Sequence, residues 1–417
     1  MMSKLDTLIQ ELCPNGVEFK RLGEICEYRS SGVDKKTVEG QKAVMLLNYM
    51  DVYRNPKITK SIIKMQVTAS DAQIANCDIK KGDIFITPSS ETIDDIGHSA
   101  VATEDIDRGV YSYHIVRFRI KNQKVVLPFF LSYLFRSYTI QSQILQKATG
   151  LTRFGLSKER WGNLSIPVPP IEIQCEIVQV LDKFTELTAE LTAELSARKQ
   201  QYNYYLNNLL SFDKTLDSNF DGDTILGQDR TARILAEMIE YIQPTQYIVS
   251  STEYSDEYAT PVLTAGQSFI LGYTNETDGI YKASKEKPVI IFDDFTTSFH
   301  WVDFDFKVKS SALKILTPKD TAKYDFRYLY YAMSCIDYKP DTHARQWIQT
   351  YSQFAIHLPS IYIQQYIVSI LDKFDNLTNS LQQGLPAEIS ARQAQYQYYR
   401  DKLLSFDEQI MNGGGKS

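Results

Sequence analysis

Apolar residues recur at steps of four and three through the middle of the chain. The seam begins at Ile177 and continues through Leu181, Phe184, Thr188, Leu191, Leu195, Arg198, Tyr202, Tyr205 and Leu209. This heptad spacing predicts one long helix with a seam that packs against another helix. The prolines at 167, 169 and 170 favour a clean helix start near residue 172. A helix from there to residue 211 would be roughly 60 Å long.

The same pattern is written again near the end of the chain. The word LDKF occupies 181–184 and 371–374, SAR occupies 196–198 and 390–392, and LLSFD occupies 209–213 and 403–407. The second copy has four additional residues between LDKF and SAR, in a stretch that contains Gly384, Leu385 and Pro386. An interior proline after a glycine should break or kink that helix. We therefore predict one straight helix and one interrupted helix, paired side by side.

Because one chain contains two matched seams, we predict that they pack on each other. The alternative is an oligomeric coiled coil between chains. The residues expected in this packing are Leu181, Phe184, Leu191, Leu195, Tyr202, Leu209, Leu371, Phe374, Tyr399 and Leu403. The tyrosines at 202, 204, 205, 396, 398 and 399 could instead stack on nucleic-acid bases. Their place on or beside the seam favours helix packing, and the outward-facing ones could contact a partner subunit.

A dissimilar segment of mixed character precedes each copy. In the first segment, 79–87 and 110–120 read as strands and 127–146 as an amphipathic helix. In the second, 288–292, 301–308 and 312–316 are rich in β-formers and 324–336 is helical in pattern. Each segment ends in an Ile-x-(Val/Leu)-Pro exit, at 166–169 and 356–359. The matching order predicts one fold used twice with different surfaces.

The predicted organisation has five parts. They are a first variable domain over 1–165, a spacer helix over 166–213, a second variable domain over 214–355, a second spacer helix over 356–410 and a disordered tail over 411–417. Residues 214–230, rich in Asp, Asn and Gly, read as a loop. The fold class is α+β, with two mixed α/β domains separated by two long antiparallel coiled-coil helices in a pseudo-two-fold arrangement.

Charge is distributed unevenly along this chain of 417 residues. The net charge is −6, but residues 1–165 carry +5 and residues 214–355 carry −6. A basic first domain favours a nucleic-acid partner, whereas the second would have to bind through a local patch. The five cysteines and five histidines form no CxxC or HExxH pattern, so no metal site is predicted. No apolar run reaches ~20 residues and no signal peptide is recognisable, which predicts a cytoplasmic protein.

Candidate DNA-binding residues are polar or basic side chains on glycine- and aromatic-rich loops. In the first domain they are Ser89, Ser90, Ser112, His114, Thr152 and Arg153. In the second they are Thr296, Thr297, His300, Lys309, Ser310, His343, Arg345 and Gln346. The loop around Arg153 and the loop around Arg345 stand at matching distances from their repeats. Each cluster could also be an ordinary structural turn, and the sequence leaves that alternative open.

Several longer words carry a resemblance to a known family. They are Gly16–Ile25, Leu156–Pro170, the Leu-Thr-Ala-Glu-Leu repeat at 187–195, Pro261–Thr274, Ile290–Thr297 and the paired repeat words. Together and in this order they resemble the specificity subunits of type I restriction-modification systems over nearly the whole chain. The resemblance implies two target recognition domains, each of which reads one half of a split site in double-stranded DNA.

The same resemblance implies partners and a role for the helices. The two conserved helices would set the separation of the half-sites and dock two modification (methyltransferase) subunits, and restriction subunits would join that core. The chain itself would have no catalytic residues and no membrane partner. S-adenosylmethionine, ATP and Mg would be bound by the partner subunits, and no cofactor by this chain.

Two other function classes are alternatives to this one, an enzyme that acts on DNA and an adaptor protein. A nuclease could be imagined from Asp293 or Asp294 with Asp305 and Lys307, although that spacing is a common accident. A methyltransferase would need an (N/D)PP(Y/F) tetrapeptide and a glycine-rich cofactor loop, and the sequence contains neither. The last alternative is a coiled-coil adaptor whose two domains bind ligands other than DNA. The basic balance of residues 1–165 argues against that adaptor.

Overall fold

The computed structural model describes residues 4–211, 231–266, 269–380 and 384–409. The chain forms two compact units, Met1–Leu191 with Ile389–Ser417 (unit 1) and Thr192–Glu388 (unit 2). The predicted loop at 214–230 and the predicted tail at 411–417 lie outside the described residues. Among the helices of the described ranges, none combines the length and the apolar character needed to cross a bilayer.

Unit 1 is a mixed α/β body with two main sheets. Its strands are β1 (Glu18–Arg21), β2 (Cys26–Arg29), β3 (Lys42–Leu47), β4 (Lys57–Ile58), β5 (Gln66–Ala69), β6 (Asp78–Ile79), β7 (Ile84–Ile86), β8 (Ser89–Ser90), β9 (Ser99–Ala102), β10 (Ile106–Tyr111), β11 (Val116–Ile120), β12 (Phe154–Gly155) and β13 (Ser165–Val168). Its helices are α1 (Lys4–Leu12), α2 (Leu22–Ile25), α3 (Tyr49–Arg54), α4 (Asp71–Asn76), α5 (Pro128–Phe135), α6 (Tyr138–Lys147) and α7 (Lys158–Gly162). The main sheets have the strand orders β2-β11-β7-β9-β4 and β5-β3-β10-β6.

The long helix α8 (Ile171–Ser211) follows and continues into unit 2. The strands of unit 2 are β14 (Thr231–Ile234), β15 (Ile239–Ile242), β16 (Thr260–Leu263), β17 (Ile270–Thr274), β18 (Val289–Asp293), β19 (Phe299–Val302), β20 (Lys307–Val308), β21 (Leu313–Pro318) and β22 (Ala355–Leu358). Its helices are α9 (Leu235–Met238), α10 (Phe326–Ser334) and α11 (Ile361–Thr378). The final helix, α12 (Gly384–Leu403), returns to unit 1 for most of its length.

The two units share one strand order. The larger sheet of unit 2 runs β15-β21-β18-β19, which matches β2-β11-β7-β9, and its smaller sheet runs β17-β16-β20, which matches β5-β3-β10. Each unit also opens with a strand that pairs antiparallel with the exit strand, β1 with β13 and β14 with β22. The prediction of one fold used twice is confirmed by this shared order.

Three predicted elements of the first segment were wrong as single elements. The strand expected over 79–87 is two strands in different sheets, β6 and β7. The strand expected over 110–120 is two strands in different sheets, β10 and β11. A turn separates them, in which Ile115 N donates to Ser112 O and His114 N donates to Ser112 Oγ. The helix expected over 127–146 is likewise divided into α5 and α6 at Arg136 and Ser137. Apolar residues lie on both sides of the breaks at 112–115 and 136–137, so hydrophobic pattern alone cannot reveal those two.

The division of the strand at 110–120 between two sheets has a counterpart in unit 2. The predicted strand over 301–308 is also two elements, because β19 ends at Val302 and β20 begins at Lys307. The strands predicted at 288–292 and 312–316 and the helix predicted at 324–336 correspond to β18, β21 and α10.

The repeat helices follow the predicted pattern of one straight and one interrupted helix. α8 is a continuous helix of 41 residues. In the second copy α11 ends at Thr378, and α12 begins at Gly384, whose φ of 78° lies in the left-handed region. A Cβ on Gly384 would lie 2.4 Å from the carbonyl oxygen of Asn376, so a larger residue would be strained there. The predicted break is therefore confirmed.

Within each unit, the two copies of the repeat contact each other in the same way. In unit 1 the ring of Phe184 stacks on Tyr399 with centroids 5.6 Å apart, and in unit 2 the ring of Phe374 stacks on Tyr205 at 5.2 Å. Each LDKF phenylalanine thus packs against the tyrosine word of the other copy. Such pairs contribute about 0.5–1.5 kcal/mol beyond the burial of their area.

The other expected seam residues lie on the inner side of these helices. Leu181, Leu209 and Leu371 are buried, and the half-buried ones are Phe184, Leu191, Leu195, Tyr202, Phe374, Tyr399 and Leu403. The intervening positions of α8 are mostly exposed. The seam is therefore a stripe of the helix surface, as a heptad pattern requires.

A buried glutamine attaches each domain to its helix. In unit 1 the amide of Gln174 accepts from Leu127 N and donates to Val125 O and Pro169 O. In unit 2 the amide of Gln364 accepts from Asp325 N and donates to Lys323 O and Pro359 O. One side chain thereby satisfies three backbone groups from two segments, which fixes the domain against the start of the helix.

A tyrosine–aspartate hydrogen bond lies about two turns further along each helix. Tyr133 donates to Asp182 at 2.6 Å in unit 1, and Tyr331 donates to Asp372 at 2.5 Å in unit 2. Unit 2 adds Arg327, which contacts Asp372 at 2.9 Å and Asp375 at 2.7 Å. These shared contacts hold each sheet-bearing domain at a fixed place on its helix.

Candidate nucleic-acid interface

Four of the predicted residues of unit 1 come together at one sheet edge. β12 pairs antiparallel with β8, with Phe154 opposite Ser90 and Gly155 opposite Ser89. Arg153 Nε donates to Ser89 Oγ at 3.0 Å, and both Thr152 and Arg153 are exposed. The loop is tight enough that a Cβ on Gly150 would lie 1.9 Å from the carbonyl oxygen of Arg153. The edge therefore presents a guanidinium and two hydroxyl groups on a rigid support.

The turn between β10 and β11 adds His114 to this edge. Ser112 itself is buried, and its hydroxyl accepts from His114 N at 3.3 Å. Burial lowers the pKa of His114 first, and the nearby cations of Lys35 and Arg153 lower it further. The imidazole is accordingly neutral at pH 7, when it can both donate and accept a hydrogen bond. Lys35 was missed by the sequence analysis, although the run Asp34-Lys35-Lys36 could have indicated it.

Asp95 organises the neighbouring part of the same surface. Its carboxylate accepts from Tyr53 Oη at 3.2 Å and from Ser90 Oγ at 3.3 Å, and it contacts His98 Nε2 at 2.8 Å. The Tyr53 ring also lies 4.3 Å from the ring of His98. Because Ser90 is buried and held by Asp95, it supports the edge more than it faces outward. Tyr53, Asp95 and His98 carried no sequence signal of their own.

In unit 2, one candidate group lies after strand β18. The carboxylate of Asp293 accepts from Phe295 N at 2.8 Å and from Thr296 N at 3.0 Å, which forms a tight turn. Thr296 is exposed, whereas Thr297 is buried with a φ of 60°. The exposed ring of His343 stacks on Phe295 at 4.7 Å. Thr296 and His343 therefore share one edge.

Gln346 anchors the loop that carries His343 and Arg345. It is 3% exposed, its side chain donates to Ala344 O and accepts from Tyr338 Oη, and its backbone N–H donates to Asp294 O. A base contact by this side chain would require the loop to rearrange. Arg345 is exposed beside it.

A buried ion pair lies beneath the same loop. Asp294 and Lys314 are each 1% exposed and approach to 3.2 Å, although without hydrogen-bond alignment. Asp294 also accepts from Trp347 N at 2.8 Å. Removing one partner of such a pair strands a buried charge, which costs about 3–5 kcal/mol.

The remaining candidates of unit 2 form a second group near β16. His300 Nε2 lies 3.2 Å from Gly266 O, and its ring lies 4.6 Å from that of Phe269. Lys309 is exposed, contacts Tyr254 Oη at 3.4 Å and donates its backbone N–H to Leu263 O. Ser310 is exposed, and its hydroxyl accepts from Ala312 N at 3.3 Å. The candidate residues of the second domain thus form two clusters, whereas those of the first domain form one.

The residues considered for a nuclease are separated into different ion pairs. Asp305 pairs with Lys282 at 2.6 Å, Lys307 with Glu276 at 2.8 Å, and Asp294 with Lys314. Lys307 is also buried. Within the described ranges no three His, Cys, Asp or Glu side chains converge so that they could hold a metal ion.

The sequence is similar to a known protein family. The model of the type I restriction modification DNA specificity domain matches residues 14–198 and 231–391. The specificity subunit of the Escherichia coli type I restriction enzyme EcoR124I/EcoR124II is 53% identical over 183 residues, 42% of this chain. That match spans 44% of the length of the subunit. A putative type I restriction enzyme specificity subunit of Haemophilus influenzae is 30% identical and covers 64% of this chain and 71% of its own.

Solved structures share the fold at low identity. The crystal structure of a type I restriction-modification S subunit from M. genitalium has a TM-score of 0.56 at 15% identity and covers 93% of this chain and 96% of its own. A chain from a structural study of complex assembly in the type I restriction-modification system has a TM-score of 0.54 at 17% identity, with 94% and 98% covered. The family model matches two segments that together make up most of the sequence, one in each half. The chain therefore belongs to the type I restriction-modification DNA specificity family, as the repeated words had indicated.

Proposed function

We propose that this chain is the DNA-recognition subunit of a type I restriction-modification complex and reads a split, asymmetric site. One domain reads each half-site, and the bases between them are not read. The observation that carries the proposal is that unit 1 and unit 2 share one strand order and one attachment to the repeat helices, yet expose different side chains. Two unlike readers on one scaffold imply two unlike half-sites.

The reading residues differ in kind between the two domains. Unit 1 offers Arg153 with Ser89 and Thr152, a combination suited to guanine or to phosphate oxygens. Unit 2 offers Thr296, His343 and Arg345 at one edge and Lys309 at the other. Such different sets of donors and acceptors select different base-pair patterns in the major groove.

The acidic balance of the second domain fits a shared binding channel. Phosphate neutralisation supplies much of the affinity of a protein for DNA. A net charge of −6 over residues 214–355 supplies little of it. Partner subunits that line the same channel would supply the remaining cations, which supports a role for this chain within a complex.

The repeat helices are proposed to set the half-site separation and to dock two modification subunits. Two outward tyrosines occupy equivalent places in the two copies, Tyr204 at 53% and Tyr398 at 62% exposure. Exposed aromatic side chains at equivalent places in two repeats support two equivalent docking places for one kind of partner. The proposed complex also contains restriction subunits.

Catalysis and cofactors are assigned to the partners. The sequence lacks both the (N/D)PP(Y/F) tetrapeptide of a methyltransferase and a GxxxxGK phosphate loop. S-adenosylmethionine, ATP and Mg are therefore proposed to bind to the modification and restriction subunits. This chain would supply sequence recognition and the docking places for those subunits.

Methylome sequencing of cells that express this chain with its cognate modification subunit tests the proposal. The expected result is one methylated motif with two defined halves and a fixed unread gap. Cells that express the modification subunit alone are the control and should lack that motif. A continuous motif, or no methylation despite a soluble complex, would refute the two-reader proposal.

A further inference from the structure

A cavity of about 300 Å³ in unit 1 is lined by three arginines. Its described lining residues are Tyr53, Arg54, Pro56, Asp94, Ile96, Gly97, His98, Arg136, Gln141, Tyr396 and Arg400. These residues come from α3, the segment before β9, the α5–α6 region and α12. One carboxylate, Asp94, stands against three guanidinium groups in this described lining. The cavity is therefore a cationic pocket, and none of the predicted reading residues lines it.

Arg136 is a partly buried cation whose described hydrogen bonds go to neutral groups. It is partly buried, it donates Nη2–H to the carbonyl oxygen of Ser99, and it also bonds Tyr396. Burial lowers the pKa of Arg136 and Arg400 also lowers it, whereas Tyr396 and Tyr133 offset part of that effect. Among the ion pairs of the described residues, none gives Arg136 a carboxylate partner. A guanidinium removed from water without a counterion is costly, so an incoming anion would gain by neutralising it.

The other two arginines of the lining are Arg54 and Arg400. Arg400 is held by Asp401 through two contacts of 3.0 Å, and the same carboxylate accepts from Tyr138 N at 2.9 Å. Arg54 is exposed at the end of α3. Guanidinium groups bind phosphate oxygens through paired N–H donors, which makes such a cluster suited to an oxyanion.

The pocket is continuous with the candidate DNA-binding edge. His98 lines the pocket and bonds Asp95, and Asp95 also accepts from Ser90 on β8. β8 carries Ser89, which binds the reading residue Arg153. We infer that this pocket seats one phosphate group of the DNA backbone beside the half-site that unit 1 reads. The inference rests on the proposed function and adds a binding site to it.

The arginines of this pocket are not repeated at the equivalent described positions of unit 2. Counting three residues on from the equivalent tyrosines Tyr133 and Tyr331 leads to Arg136 in one unit and Ser334 in the other. The position of Arg400 corresponds to Leu206 in the first repeat copy, whose carbonyl accepts from the thiol of Cys335. Two of the three cations are thus replaced by neutral residues. The phosphate contact is therefore proposed for the half-site of unit 1 only, which agrees with the net charge of +5 over residues 1–165.

The test measures DNA affinity of the assembled complex with the modification subunit as a function of salt. The variants are Arg54→Gln and Arg136→Gln, and Lys60→Gln is the control, because Lys60 is an exposed cation of unit 1 outside the pocket lining. Two duplexes are used as probes, one with the recognised site and one without it. Thermal unfolding of each variant shows whether it is folded, and Arg54→Gln, at an exposed position, keeps the test valid if Arg136→Gln is unstable.

The expected result is a uniform loss of affinity for both duplexes in the two pocket variants. Each lost phosphate contact should make the slope of log affinity against log salt shallower by about 0.9. Affinity should fall roughly tenfold at low salt, as expected for a charge-assisted hydrogen bond. Lys60→Gln should leave the slope near that of the wild type.

Three results would overturn the inference. One is an Arg54→Gln slope equal to that of Lys60→Gln. Another is a loss confined to the specific duplex, which would make these residues base readers. The third is weaker assembly with the modification subunit at an unchanged salt slope, which would assign the pocket to a carboxylate of that protein. A wild-type complex that does not distinguish the two duplexes would instead refute the proposed function.

Discussion

Replacing Gln364 by leucine should destabilise unit 2 through three backbone groups at once. Gln364 is 1% exposed, and its side chain satisfies Asp325 N at 2.8 Å, Lys323 O at 3.2 Å and Pro359 O at 2.8 Å. Leucine has a similar volume but cannot make any of these bonds. Each unsatisfied buried group costs about 1–3 kcal/mol, although water can reach part of them after the change. Burial of the leucine offsets about 1.5–3 kcal/mol.

The expected loss in the free energy of unfolding is therefore about 3 kcal/mol. Gln365→Leu is the matched control, since Gln365 is adjacent on the same helix and exposed, and it should change stability by less than about 0.5 kcal/mol. The assay is urea unfolding monitored by hydrogen exchange of single amides, which reports the stability of unit 2 and of unit 1 separately. The amide of Asp325 should exchange faster in Gln364→Leu, whereas the amide of Leu127 in unit 1 should not change.

Equal stability of the two leucine variants would refute this reasoning. It would mean that the glutamine bonds are replaced by water at no cost, and that the domain is attached to the helix by its apolar contacts alone. The parallel variant Gln174→Leu tests the same reasoning in unit 1, where the protected amide is that of Leu127. Destabilisation of the opposite unit by either variant would also contradict it.

Three further predictions concern DNA recognition. Arg153→Ala should weaken binding of one half-site and Arg345→Ala the other, each by about 1–3 kcal/mol, in competition assays with half-site mutants; equal losses on all sequences would make them phosphate contacts. Deletion of residues 192–195 shortens α8 by ~6 Å, so the methylated motif should lose one or two base pairs of its gap with both half-sites unchanged, whereas Thr192→Ala should leave the gap as it is. Because the pKa of His114 is lowered, the affinity for the first half-site should be the same at pH 8 and pH 7 and rise on acidification below the ordinary histidine pKa of about 6.5, a rise that His114→Gln should abolish.

Much of the scaffold could be predicted from local sequence signals. The heptad steps of α8, the glycine and proline that interrupt the second copy, and the matched words of the repeats are all readable without neighbours in space. These signals work because helix periodicity and the backbone limits of glycine and proline depend on residues a few positions apart. The loop at Arg153 was found for the same reason, since its glycines mark a turn.

The errors have the opposite cause. The strand at 110–120 divides between two sheets because its turn is set by which strands lie beside it, and its apolar letters fit either sheet. Gln346 was predicted from its loop as a DNA-binding residue; that stays a prediction, but the exposed position that the loop suggested is wrong, because the fold buries the side chain against Tyr338 and its backbone N–H bonds Asp294 O. A polar side chain on a loop is assigned to solvent or to the interior by the packing around it, which the sequence of the loop does not contain.

The sequence by itself determined the repeat, the break in its second copy and the use of two different domains, because each follows from regularities within one segment. Only the tertiary structure decided which polar residues meet. Arg153 reaches Ser89 across 64 residues, and the arginine pocket joins Arg54, Arg136 and Arg400 from three distant segments. Such sites depend on long-range strand pairing and on the docking of a helix, and these are fixed by the burial of the whole core.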